Sequence, residues 1–232
     1  MAHLSCVGET TESLREIIDR IADAGIENIL ALRGDPPRGE KDFEQPDGGL
    51  GSAADLAALI RETHPEITIG GACVPEVHPE APSLAADLAY LKTKVENGAS
   101  FLITQLFFDN QLYFDFVPAA RAAGIDVPII PGVMPMTGFR QIGRISELCQ
   151  ATIPAPLASA MEALDGNERA EFELGVAYAT QQCADLLRRG APGVHLYALN
   201  RWPAARAILG ALQASRPWEE RESGQPAAAG TA

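Results

Sequence analysis

The chain has 232 residues, 47% of them hydrophobic, which is enough for one large α/β domain around a buried core. Its 31 acidic and 18 basic residues give a formal charge of -13, which repels phosphate backbones and anionic lipid. Binding of nucleic acid or of a membrane through a whole face is therefore not expected, and an anionic ligand needs a local basic pocket. Cys6, Cys73, Cys149 and Cys183 lie far apart without C-x-x-C spacing, as in a reducing cytoplasm rather than a disulfide framework or structural zinc site. No apolar run reaches the ~18 residues of a membrane span and no export signal is present, so the expectation is a cytoplasmic protein.

In chain order, "HLSCVG" at 3–8 reads as a strand. Ser13 and Glu16 then have capping-box spacing, and Leu14, Ile17, Ile18 and Ile21 recur at helical intervals up to Gly25. Further strands are predicted at 28–33, 67–74, 101–108, 128–134 and 194–199, which makes six. Helices are predicted near 53–63, 83–97, 111–123, 139–149, 168–189 and 203–213, with Gly98, Gly124 and Gly190 as stops and an extra short helix within 151–166. "PDGGLGS" at 46–52 reads as a flexible loop. The stretch 215–232 loses periodicity and reads as a disordered tail. Alternation of strands and helices calls for parallel strands with crossover helices, in one domain over 1–214.

Polar residues gather where these strands end: Arg33 and Asp35, Glu76 and His78, Gln105 and Asp109, Asn200 and Arg201. That distribution is the mark of an α/β site built on loops at one face of the sheet.

Each motif also has a plain structural reading. In "LALRGDPP" (30–37), Gly34 allows backbone amides to approach a ligand beside Asp35, or simply ends a strand in a turn with a local Arg33–Asp35 pair. In "VPEVHPEA" (74–81), an extended chain puts Glu76, His78 and Glu80 on one side. That set suits a metal-dependent aldolase or hydrolase, a positioning role for His78, or a solvated loop. Lys94 sits near a helix C-terminus, where cations are ordinary. Gln105 follows an apolar strand, and its amide needs a partner, structural or bound. His3 is either a hydrogen-bonded core residue or part of a site, and Arg201 either grips a carboxylate or pairs on the surface. No G-x-G-x-x-G, P-loop or G-x-S-x-G is present.

Taken in order, "HLSCVG", "NILALRGDPP", "PEVHPEA", "LKTKVENGASFLITQLFFD", "IIPGVMP" and "LYALNR" resemble methylenetetrahydrofolate reductase. The resemblance implies a TIM-type (β/α)8 barrel with FAD along the C-terminal strand ends. It also implies NADH or NADPH as reductant, and reduction of 5,10-methylenetetrahydrofolate to 5-methyltetrahydrofolate in one-carbon and methionine metabolism. His3, Leu32, Arg33, Gly34, Asp35, Ala53, His78, Asp87 and Lys94 match the family's FAD contacts, Lys94 being suited to the pyrophosphate. Asp35 matches the carboxylate that disfavours the anionic reduced flavin and accepts hydrogen bonds from the pterin. Gln105 matches the glutamine that bonds the pterin, and Gln141 and Arg201 match residues that hold the benzoylglutamate end. On this resemblance Glu76 and Glu80 orient their loop, and no metal is expected.

The sequence departs from the family in several places. Val74, Ser52 and Ile145 stand where relatives place aromatic residues against cofactor or substrate. The family's first motif, F-E-F-x-P-P with its glutamate general acid, is absent, and only six βα units are found. The expectation is therefore an open, barrel-like sheet equivalent to strands three to eight, with unpaired outer strands that invite homo-oligomerisation and with activity in doubt.

Overall fold

The structure, a computed structural model of the chain, describes residues 1–35 and 45–220, apart from the side chains of Gln141 and Ile142. Two compact units are present. The first comprises 1–73, 80–103 and 120–128; the second comprises 74–79, 104–119 and 129 onward. Among the described residues no helix is long and apolar enough to cross a membrane.

The first unit alternates β1 (Ala2–Ser5), α1 (Thr11–Asp23), β2 (Asn28–Leu32), α2 (Ala53–Thr63), β3 (Thr68–Cys73), α3 (Leu84–Glu96) and β4 (Ala99–Thr104), the last residue of β4 counting with the second unit. The strands are neighbours in chain order, β1-β2-β3-β4. The first two pairings are parallel, with His3 opposite Leu30 and Leu30 opposite Gly70. Each strand adds beside the one before with no reversal of order, which is the winding of a TIM-type barrel rather than of a doubly wound sheet. Leu14 and Ile18 of α1, Leu56 and Ile60 of α2, Ile29 and Ile69 are fully buried in one cluster. Each contributes about 1.5–3 kcal/mol of hydrophobic stabilisation. Gly70 is required by packing: a Cβ there would stand 2.5 Å from the Phe101 ring.

Capping decides where these helices begin. α1 starts earlier than the Ser13–Glu16 spacing predicts, because the Thr10 side chain accepts from Ser13 N while the Ser13 hydroxyl donates to Glu9. Ser52 caps α2 and Ser83 caps α3 in the same way, each accepting from the amide three residues on. The loop expected to be flexible at 46–52 is tied down: Gly48 O accepts from both the amide and the hydroxyl of Thr11, and Thr10 bridges Gly49. Residues 36–44, including the end of "LALRGDPP", lie outside the described residues.

The second unit contains most of α4 (Asn110–Ala122), then β5 (Ile129–Ile130), β6 (Gly132–Val133), α5 (Phe139–Cys149), α6 (Ala155–Glu162), α7 (Glu168–Arg188), β7 (His195–Leu196) and α8 (Trp202–Ser215). β6 and β7 are parallel, with Gly132 opposite His195. Leu106, Phe108, Met134, Met136, Leu157 and Met161 form the core, with Phe139 and Ile145 of α5 packed against it. α7 rides directly on the backbone: a Cβ at Gly175 would lie 1.9 Å from Met136 O.

Several strands differ from their predicted spans, the first ending at Ser5 instead of 8. The fifth breaks into β5 and β6 around Pro131, which has no amide to donate. The fourth ends at Thr104 instead of 108, because the carbonyls beyond it find side-chain donors: Gln182 Nε2 donates to Phe107 O (2.9 Å) and the Tyr178 hydroxyl to Phe108 O (2.6 Å). The last stops at Leu196, three residues before Leu199 and Asn200 take left-handed backbone angles (φ 45° and 60°). Residues 215–220, placed in the tail by composition, carry the end of α8 and a 3-10 turn (Pro217–Glu219) in which Pro217 is buried. Residues 221–232 lie outside the described residues.

Candidate functional site

In the first unit the polar exits of β2 and β3 come together. The ladder between β1 and β2 runs past both strands, with Cys6 N donating to Leu32 O (3.1 Å) and Val7 N to Arg33 O (2.9 Å). This holds Arg33 on a fixed backbone. The next residue, Gly34, takes φ 89° with Val7 so close that a Cβ would meet its Cγ1 at 2.4 Å. Gly34 is thus a packing and conformational necessity of the turn, and Asp35 is exposed after it.

The turn reading allowed a local Arg33–Asp35 pair; Asp35 acts on Arg33 only as the smallest of its charge partners. The Arg33 guanidinium makes a fork to Glu80, with Nη1–Oε2 at 2.6 Å and Nη2–Oε1 at 2.7 Å. The fork is the main reason its pKa is raised. Lys94, on the last turn of α3, is within electrostatic reach of this group and of Asp87 on the first turn of the same helix. Lys94 is half-buried and donates to Ala72 O (2.8 Å), with its ammonium 4.9 Å from the Tyr90 ring centroid. Desolvation lowers its pKa, opposed by attraction to Cys73 and Asp87. The Cys73 thiol is buried and pushed up to about 12.

The remaining first-unit candidates are less central. His3 is exposed on β1, so it is not a core residue. Leu32 is half-buried, and Ala53 is buried in the first turn of α2, which leaves little beyond its backbone to meet a ligand.

His78 and the substrate candidates Gln105, Gln141 and Arg201 belong to the second unit. The loop that carries His78 is strained: Val77, a β-branched residue, takes φ 72°. Glu76 anchors the loop by accepting from Thr152 N through both oxygens (3.0 and 3.2 Å). Glu76 holds a backbone amide and Glu80 an arginine, so both carboxylates of the metal-set reading have other partners. No group of three His, Cys, Asp or Glu side chains suited to a metal ion occurs among the described residues.

Gln105 is half-buried; its Oε1 accepts from Leu106 N (3.0 Å), and its amide nitrogen has no hydrogen bond among the described residues. Arg201 caps α8 after the Leu199–Asn200 turn and is exposed, with no ion pair among the described residues. It lines a cleft of about 840 Å³ together with Arg140, Asp165, Phe172, Asn200 and Trp202. Arg140 pairs with Asp165 at 2.7 Å. The buried Glu171 carboxylate accepts from Phe139 N (2.9 Å) and Gly166 N (3.0 Å), fixing the start of α5 to α7. The side chain of Gln141 lies outside the described residues.

Sequence reading missed the Arg33–Glu80 fork, the Glu76–Thr152 link, Glu171 and Trp202. A tryptophan directly after a candidate anion-binding arginine was the one available signal.

Consecutive parallel strands, crossover helices and charged loops after the strands define an α/β protein of the TIM-barrel type, a class whose ligands are met at the strand ends. The chain belongs to the methylenetetrahydrofolate reductase family, whose model matches residues 1–213. It is similar to methylenetetrahydrofolate reductase (NADH) 1 of Arabidopsis thaliana, with 40% identity over 221 residues covering 90% of this chain and 37% of that protein. It is also similar to 5,10-methylenetetrahydrofolate reductase of Escherichia coli (strain K12), with 39% identity covering 90% of this chain and 69% of that one. A probable methylenetetrahydrofolate reductase (NADPH) of Caenorhabditis elegans is 38% identical, covering 95% of this chain and 34% of that protein. The chain therefore spans little more than a third of the plant relative. Among solved structures, a Clostridium thermocellum protein described as binding two copies of 5-methyl-5,6,7,8-tetrahydrofolic acid has a TM-score of 0.57 at 15% identity. The match covers 92% of this chain and 72% of that one, a likeness of fold.

Proposed function

We propose that the protein acts in the reduction of 5,10-methylenetetrahydrofolate to 5-methyltetrahydrofolate, with FAD as cofactor and NADH or NADPH as reductant, and that residues 1–214 are the flavin-binding domain. The family match over residues 1–213 is the observation that carries this reading. Relatives named for NADH and for NADPH are both similar to the chain, so either nucleotide suits it.

The residues of the first unit fit an anionic cofactor. Lys94 has a desolvated ammonium whose hydrogen-bond acceptor among the described residues is Ala72 O, and a pyrophosphate beside it would favour the charged form. Arg33 is compensated by Glu80, so its part is to hold the β2 exit in place. Asp35 puts an exposed carboxylate after the Gly34 turn, where it disfavours further negative charge on a bound ring. FAD, when bound, supplies the relay of hydride between nicotinamide and folate. In the second unit, Gln105 offers an amide donor to the pterin, and Arg201 offers a fork to a glutamate carboxylate, the end of the substrate that the resemblance also gives to Gln141.

The test is reconstitution with FAD followed by anaerobic addition of each nucleotide and then of methylenetetrahydrofolate. The expected result is visible flavin absorbance that bleaches with NADH or NADPH and returns with the folate. A chain that holds no flavin, or whose reduced flavin the folate leaves unchanged, overturns the proposal.

A further inference from the structure

We propose that Trp202 is a ligand-binding residue of the second unit's cleft, stacking on the aryl ring of a ligand whose carboxylate Arg201 holds. The inference rests on the folate reading and adds a residue to it. Trp202 is 63% exposed, a large apolar surface left facing water, and it lines the cleft of about 840 Å³ beside Arg201. An indole so placed offers a ligand ring the area for a stack.

Its placement is built by the local chain. The left-handed turn at Leu199 and Asn200, closed by Arg201 N donating to Ala198 O (2.7 Å), sets the entry to α8, so that Arg201 is the cap and Trp202 the first helical residue. One turn on, the Arg206 guanidinium carbon lies 5.7 Å from the indole centroid, a cation–π contact that restrains the ring. The other aromatic side chain of the lining, Phe172, is half-buried, and Phe139 and Ile145 of α5 pack into the core. The exposed aromatic face of this cleft is therefore Trp202.

Charge agrees with the assignment. Of the cleft's three acids, Asp165 is paired with Arg140 and Glu171 is held by two backbone amides, while Glu168 is exposed at the start of α7; the Arg201 guanidinium has no ion pair among the described residues. A restrained indole next to an uncompensated guanidinium fits a flat aryl ring carrying a flexible carboxylate, and the p-aminobenzoylglutamate portion of a folate is such a group.

The probe is p-aminobenzoyl-L-glutamate, titrated into the full chain by calorimetry. Because the protein has two tryptophans, a W218F background makes the remaining fluorescence that of Trp202. Saturable quenching is expected with the same midpoint as the heat. Trp202→Ala should weaken binding about fivefold to tenfold, the scale of one lost aromatic stack, while Trp202→Phe keeps most of it. p-Aminobenzamide, which lacks the carboxylates, should bind more weakly than the probe. Thermal melting of the alanine variant at the parent temperature confirms that it folds. Unquenched emission, or equal affinity of parent and Trp202→Ala, overturns the inference. So does a change of oligomeric state in Trp202→Ala with affinity unaltered, which assigns the ring to a second copy of the chain. Flavin bleaching and recovery report the folate reading separately: a chain that passes that test but ignores Trp202→Ala loses only this inference.

Discussion

The two units finish a parallel strand in different ways. In the first, the backbone ladder continues beyond β1 and β2, with bonds from Cys6 and Val7 to Leu32 and Arg33, and the turn closes on a glycine under Val7. In the second, β4 stops at Thr104 and its carbonyl, with those of Phe107 and Phe108, accepts from the side chains of Tyr197, Gln182 and Tyr178. One exit is shaped by main chain, the other by donors 70 to 93 residues away in sequence. At the first exit the largest loss should come from a methyl group added at Gly34; at the second it should come from removing a polar donor such as the Tyr178 hydroxyl.

The strongest test is Gly34→Ala. A left-handed alanine costs about 1–2 kcal/mol and the overlap with Val7 about 1–3 kcal/mol more, so urea unfolding should show a loss of about 2–5 kcal/mol. A loss below that of the next variant would break the comparison. Tyr178→Phe removes the hydroxyl from Phe108 O without changing shape, and the same measurement should give about 1–2 kcal/mol.

The smallest effect concerns the exposed edge of the first unit. His64 puts Nε2 2.8 Å from Asp19 and Nδ1 2.9 Å from Glu66, and both contacts raise its pKa because only the imidazolium donates at both nitrogens. A raised folded-state pKa gives stability that is complete below the unfolded value of about 6.5 and is lost as pH rises through the folded value. Melting temperature should fall slightly over that window, and His64→Gln should flatten the fall. An unchanged slope would assign the pH dependence elsewhere.

Much of the architecture was legible because it is local. α2 and α5 occupy the predicted spans 53–63 and 139–149, where the helical intervals and flanking small residues lie within a few positions. The end of β4 was not legible, since "FLITQLFF" has strand composition throughout and its truncation depends on Tyr178 and Gln182. The start of α1 was misplaced because Thr10 and Ser13 both suit a cap, and the choice falls to Glu9, which occupies the Ser13 hydroxyl. For the candidate site, periodicity located the strand exits, and the resemblance supplied Asp35, Lys94, Gln105 and Arg201. The Arg33–Glu80 fork joins residues 47 apart, and no spacing rule connects them.

The sulfur atoms carry a practical consequence. Cys6, Cys73 and Cys183 are buried, and burial pushes all three thiols up, the last two to about 12. At neutral pH they stay protonated and beyond the reach of alkylating reagents. Cys149, at the end of α5 and only half-buried, is left as the attachment point for a thiol-directed dye, which would label the second unit at a single defined position.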